Sequence, residues 1–145
     1  MNLDRPWIAR HIPHQDRMCL LDRVLFWDDG CVECSSGTHR APDHPLRAHG
    51  RLGAACLIEY AAQAMAVHGA LLQPWLPGTS RSGMLTSARA VELLVARVDD
   101  LAGDLLIRAE RQHSDERGAL YGFRVSEGAR LLAHGRASLL LAMPP

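Results

Sequence analysis

Residues 52–72 read LGAACLIEYAAQAMAVHGALL. The stretch is rich in alanine, leucine and methionine, all strong helix formers, and Gly69 and Pro74 mark its end. The composition predicts a helix over 52–72. Between Ala54 and Val67 the only strongly polar residues are Glu59 and Gln63. A helix lying on a protein surface shows a broad polar face. This one is apolar almost all round, so the rest of the chain is expected to wrap it. Glu59 and Gln63 are four apart and share one narrow stripe.

Outward from that helix the chain reads mostly as strand. Upstream, residues 19–27 (CLLDRVLFW) form a strand, Asp28-Asp29-Gly30 a turn, and 31–39 a partner strand, giving a hairpin. Residues 1–18, punctuated by Pro6 and Pro13, are an irregular or short helical lead-in. Residues 40–51 (RAPDHPLRAHGR) are a loop. Downstream, 73–83 is a second loop, and 84–98 holds one strand or more, although ARAVELLVARV also fits a helix. Residues 104–113, 119–126 and 129–142 are strands, separated by SDERG at 114–118 and by Glu127-Gly128. One helix among many strands indicates an α+β class, with an antiparallel sheet packed on the helix. With no linker or repeat, residues 1–145 are expected to make a single domain.

Composition removes several chemistries. All sixteen basic residues of the 145 are arginine, and the formal net charge is zero. Without lysine there is no Schiff-base residue and no phosphate-binding loop of the Walker type. Zero net charge argues against broad nucleic-acid binding. No apolar run is read as approaching the ~20 residues of a membrane span, and the first ten residues lack a signal-peptide core. A cytoplasmic protein with four reduced cysteines is the expectation. Cys31 and Cys34 form a lone C-x-x-C in a strand, where residues three apart face opposite sides. No metal or redox site is expected there.

A carboxylate on a buried helix is costly unless it is paired or functional. Burial raises its pKa and makes a protonated, acid-competent form accessible. Glu59 therefore reads either as a general acid or as half of an ion pair with an arginine. Histidine is the natural partner for acid–base work. His39, His44 and His49 cluster in or beside the 40–51 loop, whereas His68 sits more than two turns beyond Glu59 and reads as packing or capping. Each histidine taken singly also fits an ordinary solvated or hydrogen-bonded role.

At this point the sequence resembles a known family. IPHQDRMCLLDRV (12–24) is similar to a segment near the start of the 3-hydroxyacyl-ACP dehydratases, and CLIEYAAQAM (56–65) to their E-x-x-A-Q helix motif. HPLRAHGRLGAACLIEYAAQAMAVHGALL (44–72) resembles most the dehydratase-like proteins of aryl polyene gene clusters. The resemblance covers roughly residues 11–143 and implies the hot-dog fold, a long helix wrapped by an antiparallel sheet. It also implies a dimer, homomeric or heteromeric, with sites at the interface.

By resemblance, Glu59 takes the helix carboxylate role and His44 the loop histidine role, with His39, His49 and His14 as alternatives. The family's G-H-F-P-G segment is missing, and the nearest match is Asp43-His44-Pro45-Leu46. Gly53 and Ala54 stand where backbone N–H groups would polarise a thioester carbonyl, with Gln63 beside the substrate. The implied reaction removes water from a 3-hydroxyacyl thioester. The substrate rides on the phosphopantetheine of an acyl carrier protein, with no cofactor of the enzyme's own. Arg40, Arg47, Arg51, Arg81 and Arg89 would meet the acidic carrier. A weakly active subunit supporting an active dehydratase, and an acyl thioesterase, are the rival readings.

Overall fold

Turn chemistry lays out the sheet. In the computed structural model, which describes residues 3–12, 16–72, 83–115 and 117–141, Arg23–Trp27 (β1) and Cys31–Ser36 (β2) pair as an antiparallel hairpin. The Asp28 carboxylate closes its turn by accepting the N–H groups of Gly30 (2.8 Å) and Cys31 (2.9 Å), the local bonding that makes aspartate a turn residue. Four further strands follow: Gly83–Leu93 (β3), Leu105–Ser114 (β4), Gly118–Glu127 (β5) and Arg130–Leu141 (β6). Asp115 repeats the device between β4 and β5, accepting from Arg117 and Gly118. Gly128, at φ 56°, supplies the left-handed residue of the β5–β6 turn.

The strand order is β1-β2-β4-β5-β6-β3, all antiparallel. Two helices accompany the sheet. Arg5–His11 (α1) is capped by Asp4, whose carboxylate accepts the Trp7 N–H at 3.2 Å, with Pro6 in the first turn. Leu57–Leu72 (α2) is the long central helix, entered through a 3-10 turn at Ala54–Cys56. On α2, Leu57, Tyr60, Ala64, Met65 and Val67 are fully buried. They join Ile107, Ala109, Tyr121, Phe123 and Val125 of β4 and β5 in one core. Each large apolar side chain so buried contributes roughly 1.5–3 kcal/mol.

Three boundaries differ from the sequence expectation. β1 begins at Arg23 rather than residue 19, because Cys19, Leu20 and Leu21 are buried and the Leu20 main chain is bonded to α2 instead of a strand. The regular α-helix begins at Leu57, since Leu52 and Gly53 run extended against residues 96–98 and Ala54–Cys56 form a 3-10 turn. The ambiguous 84–98 stretch is strand to Leu93, paired with β6 along its length. Residues 54–72, at mean hydropathy 1.3, do reach the length and apolarity of a membrane span. Nine residues of α2 are buried by the sheet, which is the packing of a core helix.

Candidate active site

The entrance of α2 is clamped by a buried carboxylate. Asp99 is tied to Arg97, whose Nε donates at 3.0 Å, and also accepts the Leu52 N–H at 3.0 Å. Arg47 approaches its other oxygen at 3.8 Å. The Arg97 hydrogen bonds and the Leu52 N–H hold the Asp99 carboxyl far below the ordinary carboxylate range. Beside this clamp the Ala54 N–H donates to Ala96 O (3.1 Å), and the Val98 N–H to Leu52 O (2.9 Å). An extended segment alternates its N–H groups, so that of Gly53 turns away from this strand, and Ala55 follows in the 3-10 turn. Both residues are exposed, and neither N–H has a partner among the described residues. The Ala54 N–H, expected to face a thioester carbonyl, is instead bonded to Ala96 O.

Glu59 lies in the first turn of α2 and is half-buried. Gln63 sits one turn on and is fully buried. Its carbonyl oxygen accepts the Leu20 N–H (2.8 Å), while its Nε2 donates to Met18 O (2.7 Å) and reaches Glu59 Oε1 at 3.4 Å. The amide therefore does not lie in the open beside a substrate, as the sequence reading had it. It stands behind Glu59 and joins the carboxylate's oxygen to the segment before β1.

His44 is buried, and both its ring nitrogens are engaged. Nδ1 accepts the Leu46 N–H at 3.1 Å, which fixes the neutral tautomer with hydrogen on Nε2. Nε2–H donates to the Tyr60 hydroxyl at 3.1 Å. The hydroxyl continues to Thr38 Oγ1 (2.7 Å), which donates to Leu20 O (2.8 Å). Burial lowers the His44 pKa, and the Arg47 charge adds to this. A general base needs a free lone pair facing its substrate, and this imidazole offers none. Tyr60 and Thr38 were missed in the sequence. The signal was a tyrosine in an otherwise apolar helix, since a buried phenol finds a polar partner.

The other histidines fall elsewhere. His39 is fully buried and donates from Nε2 to Leu101 O at 3.0 Å, leaving Nδ1 enclosed without a hydrogen-bond partner. His49 is exposed at φ 54° and, with Gly50 at φ 73°, makes the two-residue turn joining Ala48 to Arg51. His14 lies outside the described residues, as does Arg81. His68 packs as expected. Its Nε2 donates to Asp28 O (2.8 Å), and its Nδ1 accepts the Tyr121 hydroxyl (2.6 Å).

The arginines divide as clearly. Arg40 donates to Ala102 O and Asp104, and Arg47 to Ala41 O (2.8 Å). Arg40 thus ties the loop to the segment before β4, and Arg47 knits the loop internally. Arg51 and Arg89 are exposed. Cys31 and Cys34 are buried free thiols, and burial pushes Cys34 up to about 12, away from a ligating thiolate.

This antiparallel sheet wrapped on one long helix, with a carboxylate in the helix's first turn, is the hot-dog architecture of dehydratases and thioesterases. A family model described as ApeP dehydratase matches residues 6–143. The chain belongs to this ApeP-like dehydratase family. Among solved structures, the dehydratase heterocomplex ApeI:P from Xenorhabdus doucetiae is similar at TM-score 0.83 and 25% identity. The match covers 94% of this chain and 91% of that one. A thioesterase mutant from Staphylococcus aureus follows at TM-score 0.59 and 15% identity, covering 83% and 92%. A hypothetical thioesterase with coenzyme A from Streptococcus pneumoniae TIGR4 gives TM-score 0.57 and 14% identity, covering 83% and 84%. The last two share the fold. A search of curated proteins finds no match.

Proposed function

We propose that the chain is one half of a two-subunit 3-hydroxyacyl-ACP dehydratase of aryl polyene type, in which it supplies the acid and the thioester-binding amides. The observation that carries this reading is the grouping at the entrance of α2. A half-buried Glu59 is backed by a buried Gln63, close in sequence to two exposed N–H groups at the positive end of the helix. The Gln63 N–H is directed at Oε1 of Glu59.

The reaction then balances as follows. A base removes the proton from C2 of the 3-hydroxyacyl thioester, and the negative charge moves to the carbonyl oxygen. The Gly53 and Ala55 N–H groups hold that charge. The C2–C3 double bond forms as the C3–O bond breaks. Glu59 gives its proton to the departing hydroxyl, releasing water and the trans-2-enoyl thioester. The base is assigned to a histidine of a second hot-dog subunit. His39 and His44 are bonded inside this chain, His49 sits at a turn tip, and the similar ApeI:P structure is itself a heterocomplex.

The test is to incubate the chain with 3-hydroxyacyl-ACP, alone and with a co-encoded hot-dog subunit, and follow enoyl formation. Turnover only with the partner, abolished by Glu59→Gln, is expected. Turnover by the chain alone that is lost in His14→Ala would move the base to this chain. Free acid and free thiol as products would make it a thioesterase.

A further inference from the structure

The face of the sheet opposite α2 carries a row of charges written by the register. Glu33, Arg108, Arg124, His134 and Glu92 stand side by side across β2, β4, β5, β6 and β3. In the next row Glu110 faces Gly122, Gly122 faces Arg136, and Arg136 faces Arg89. Gly122 has no side chain to fill its place. A groove of about 380 Å³ opens there, between Arg108, Glu110 and Gln112 on one side and Arg124, His134 and Arg136 on the other.

The two halves of this face are treated differently. Toward β2, Arg108 is neutralised by Glu33 (2.6 Å) and Glu110 (2.9 Å). Toward β3, Arg89, Arg124 and Arg136 are all exposed, and none has an ion pair or side-chain hydrogen bond among the described residues. Arg89 and Arg136 are direct cross-strand neighbours, where like charges destabilise a sheet. Other arginines of the chain are paired, as at Arg5–Asp22, Arg40–Asp104 and Arg97–Asp99, and those without an ion pair among the described residues, such as Arg51 and Arg130, do not stand side by side as these three do. Three adjacent cations without ion pairs, beside an open groove and with the nearby Glu92 carboxylate held by His134 at 3.2 Å, form an electrostatic footprint for an anionic partner. The patch is broad and spread over three strands, so it fits the carboxylates of a protein surface better than one small anion.

We propose that Arg89, Arg124 and Arg136, at the Gly122 groove, form the docking surface for the acidic carrier protein that delivers the substrate. This rests on the function proposed above. It moves the carrier contact from the 40–51 loop, where Arg40 and Arg47 are bonded to the chain's own groups, to the outer face of β5, β6 and β3, keeping Arg89 of the arginines first expected. The geometry suits delivery. Seven residues beyond Arg89, the carbonyl of Ala96 holds the Ala54 N–H at the entrance of α2, no more than about 24 Å away along the chain.

The experiment titrates fluorescently labelled acyl carrier protein against the full chain, with its partner subunit present, and follows anisotropy at low and high salt. Charge reversal in R124E/R136E is expected to weaken binding by about tenfold or more and to flatten its salt dependence, while R130E, at the β5–β6 turn, leaves it unchanged. Turnover is measured in parallel on a carrier-bound substrate and on the free pantetheine thioester. R124E/R136E should depress only the first. Equal carrier affinity in wild type and R124E/R136E would overturn the proposal, as would no binding at all or a parallel loss of both activities. Inorganic pyrophosphate that raises the melting temperature of wild type but not of R124E/R136E, without displacing the carrier, would make the groove a small-anion site and overturn it too. Failure of the dehydratase reading is separate: no turnover of either substrate, whatever the carrier affinity.

Discussion

The two ends of α2 are built from the same kinds of groups and left in opposite states. At its far end, His68 closes a complete circuit between the Asp28 carbonyl and the Tyr121 hydroxyl. Near its entrance, His44 and Tyr60 make a similar closed circuit through Thr38 to Leu20, but Gly53 and Ala55 before it are exposed and Glu59 is half-buried. The difference separates the interior from the surface. A buried polar group with every bond satisfied holds the fold, while groups that reach solvent are within range of a substrate.

The largest effect that tests this contrast is at Glu59. Glu59→Gln should lower dehydration by about 10²–10⁴-fold while leaving the melting temperature within a degree or two. A variant that unfolds, or one that keeps its rate, would remove Glu59 from the chemistry.

Acid should discriminate next, because the closed circuits depend on neutral rings. Burial lowers the pKa of His39, His44 and His68 below the ordinary 6.5. Below pH 6.5 the unfolded chain takes up protons that the folded chain refuses. Stability is therefore full above 6.5 and falls as pH drops from 6.5 toward the folded pKa values. The slope approaches about 1.4 kcal/mol per pH unit for each histidine. Urea midpoints between pH 7.5 and 5.5 measure it, and a flat profile would mean that these rings are not held neutral.

Two smaller changes open the circuits one at a time. Tyr60→Phe strands the His44 Nε2–H and removes the donor to Thr38, at a cost of about 1–3 kcal/mol. Turnover per folded molecule should hold, whereas a collapse in kcat with normal folding would return His44 to the catalytic role. Tyr121→Phe leaves only the His68 Nδ1 unsatisfied and should cost about 1–2 kcal/mol, with turnover unaltered. Chemical denaturation beside single-turnover assays reads both.

The helix, the hairpin and the meander were legible in the sequence because each rests on short-range signals: an apolar run, an Asp-Gly turn, an alternating strand. The start of α2 was misplaced by several residues. What holds Leu52 in the extended stretch before the helix is Asp99, more than forty residues away, and no local pattern encodes that. Glu59 stood out as one of two polar residues on an apolar helix. The same reasoning could not tell that Gln63 faces the chain's own backbone, or that Ala54 has its N–H occupied while Ala55 does not. Those assignments depend on which strand arrives opposite, and they are invisible until it does. His44 carried the resemblance but not the free lone pair, because its partner Tyr60 differs from Glu59 by a single helical step of about 100°.

Ala90 holds a left-handed φ of 51° inside an irregular stretch where the pairing of β3 with β6 shifts between Arg89 and Glu92. Edge strands invite other chains to add on, and bulges twist them out of reach. β3 is such an edge, interrupted twice along its paired length. A regular strand that tries to extend the sheet there finds its ladder broken midway. Only a neighbour carrying the complementary irregularity can pair along the whole edge, so the distortion works as a keyway against aggregation.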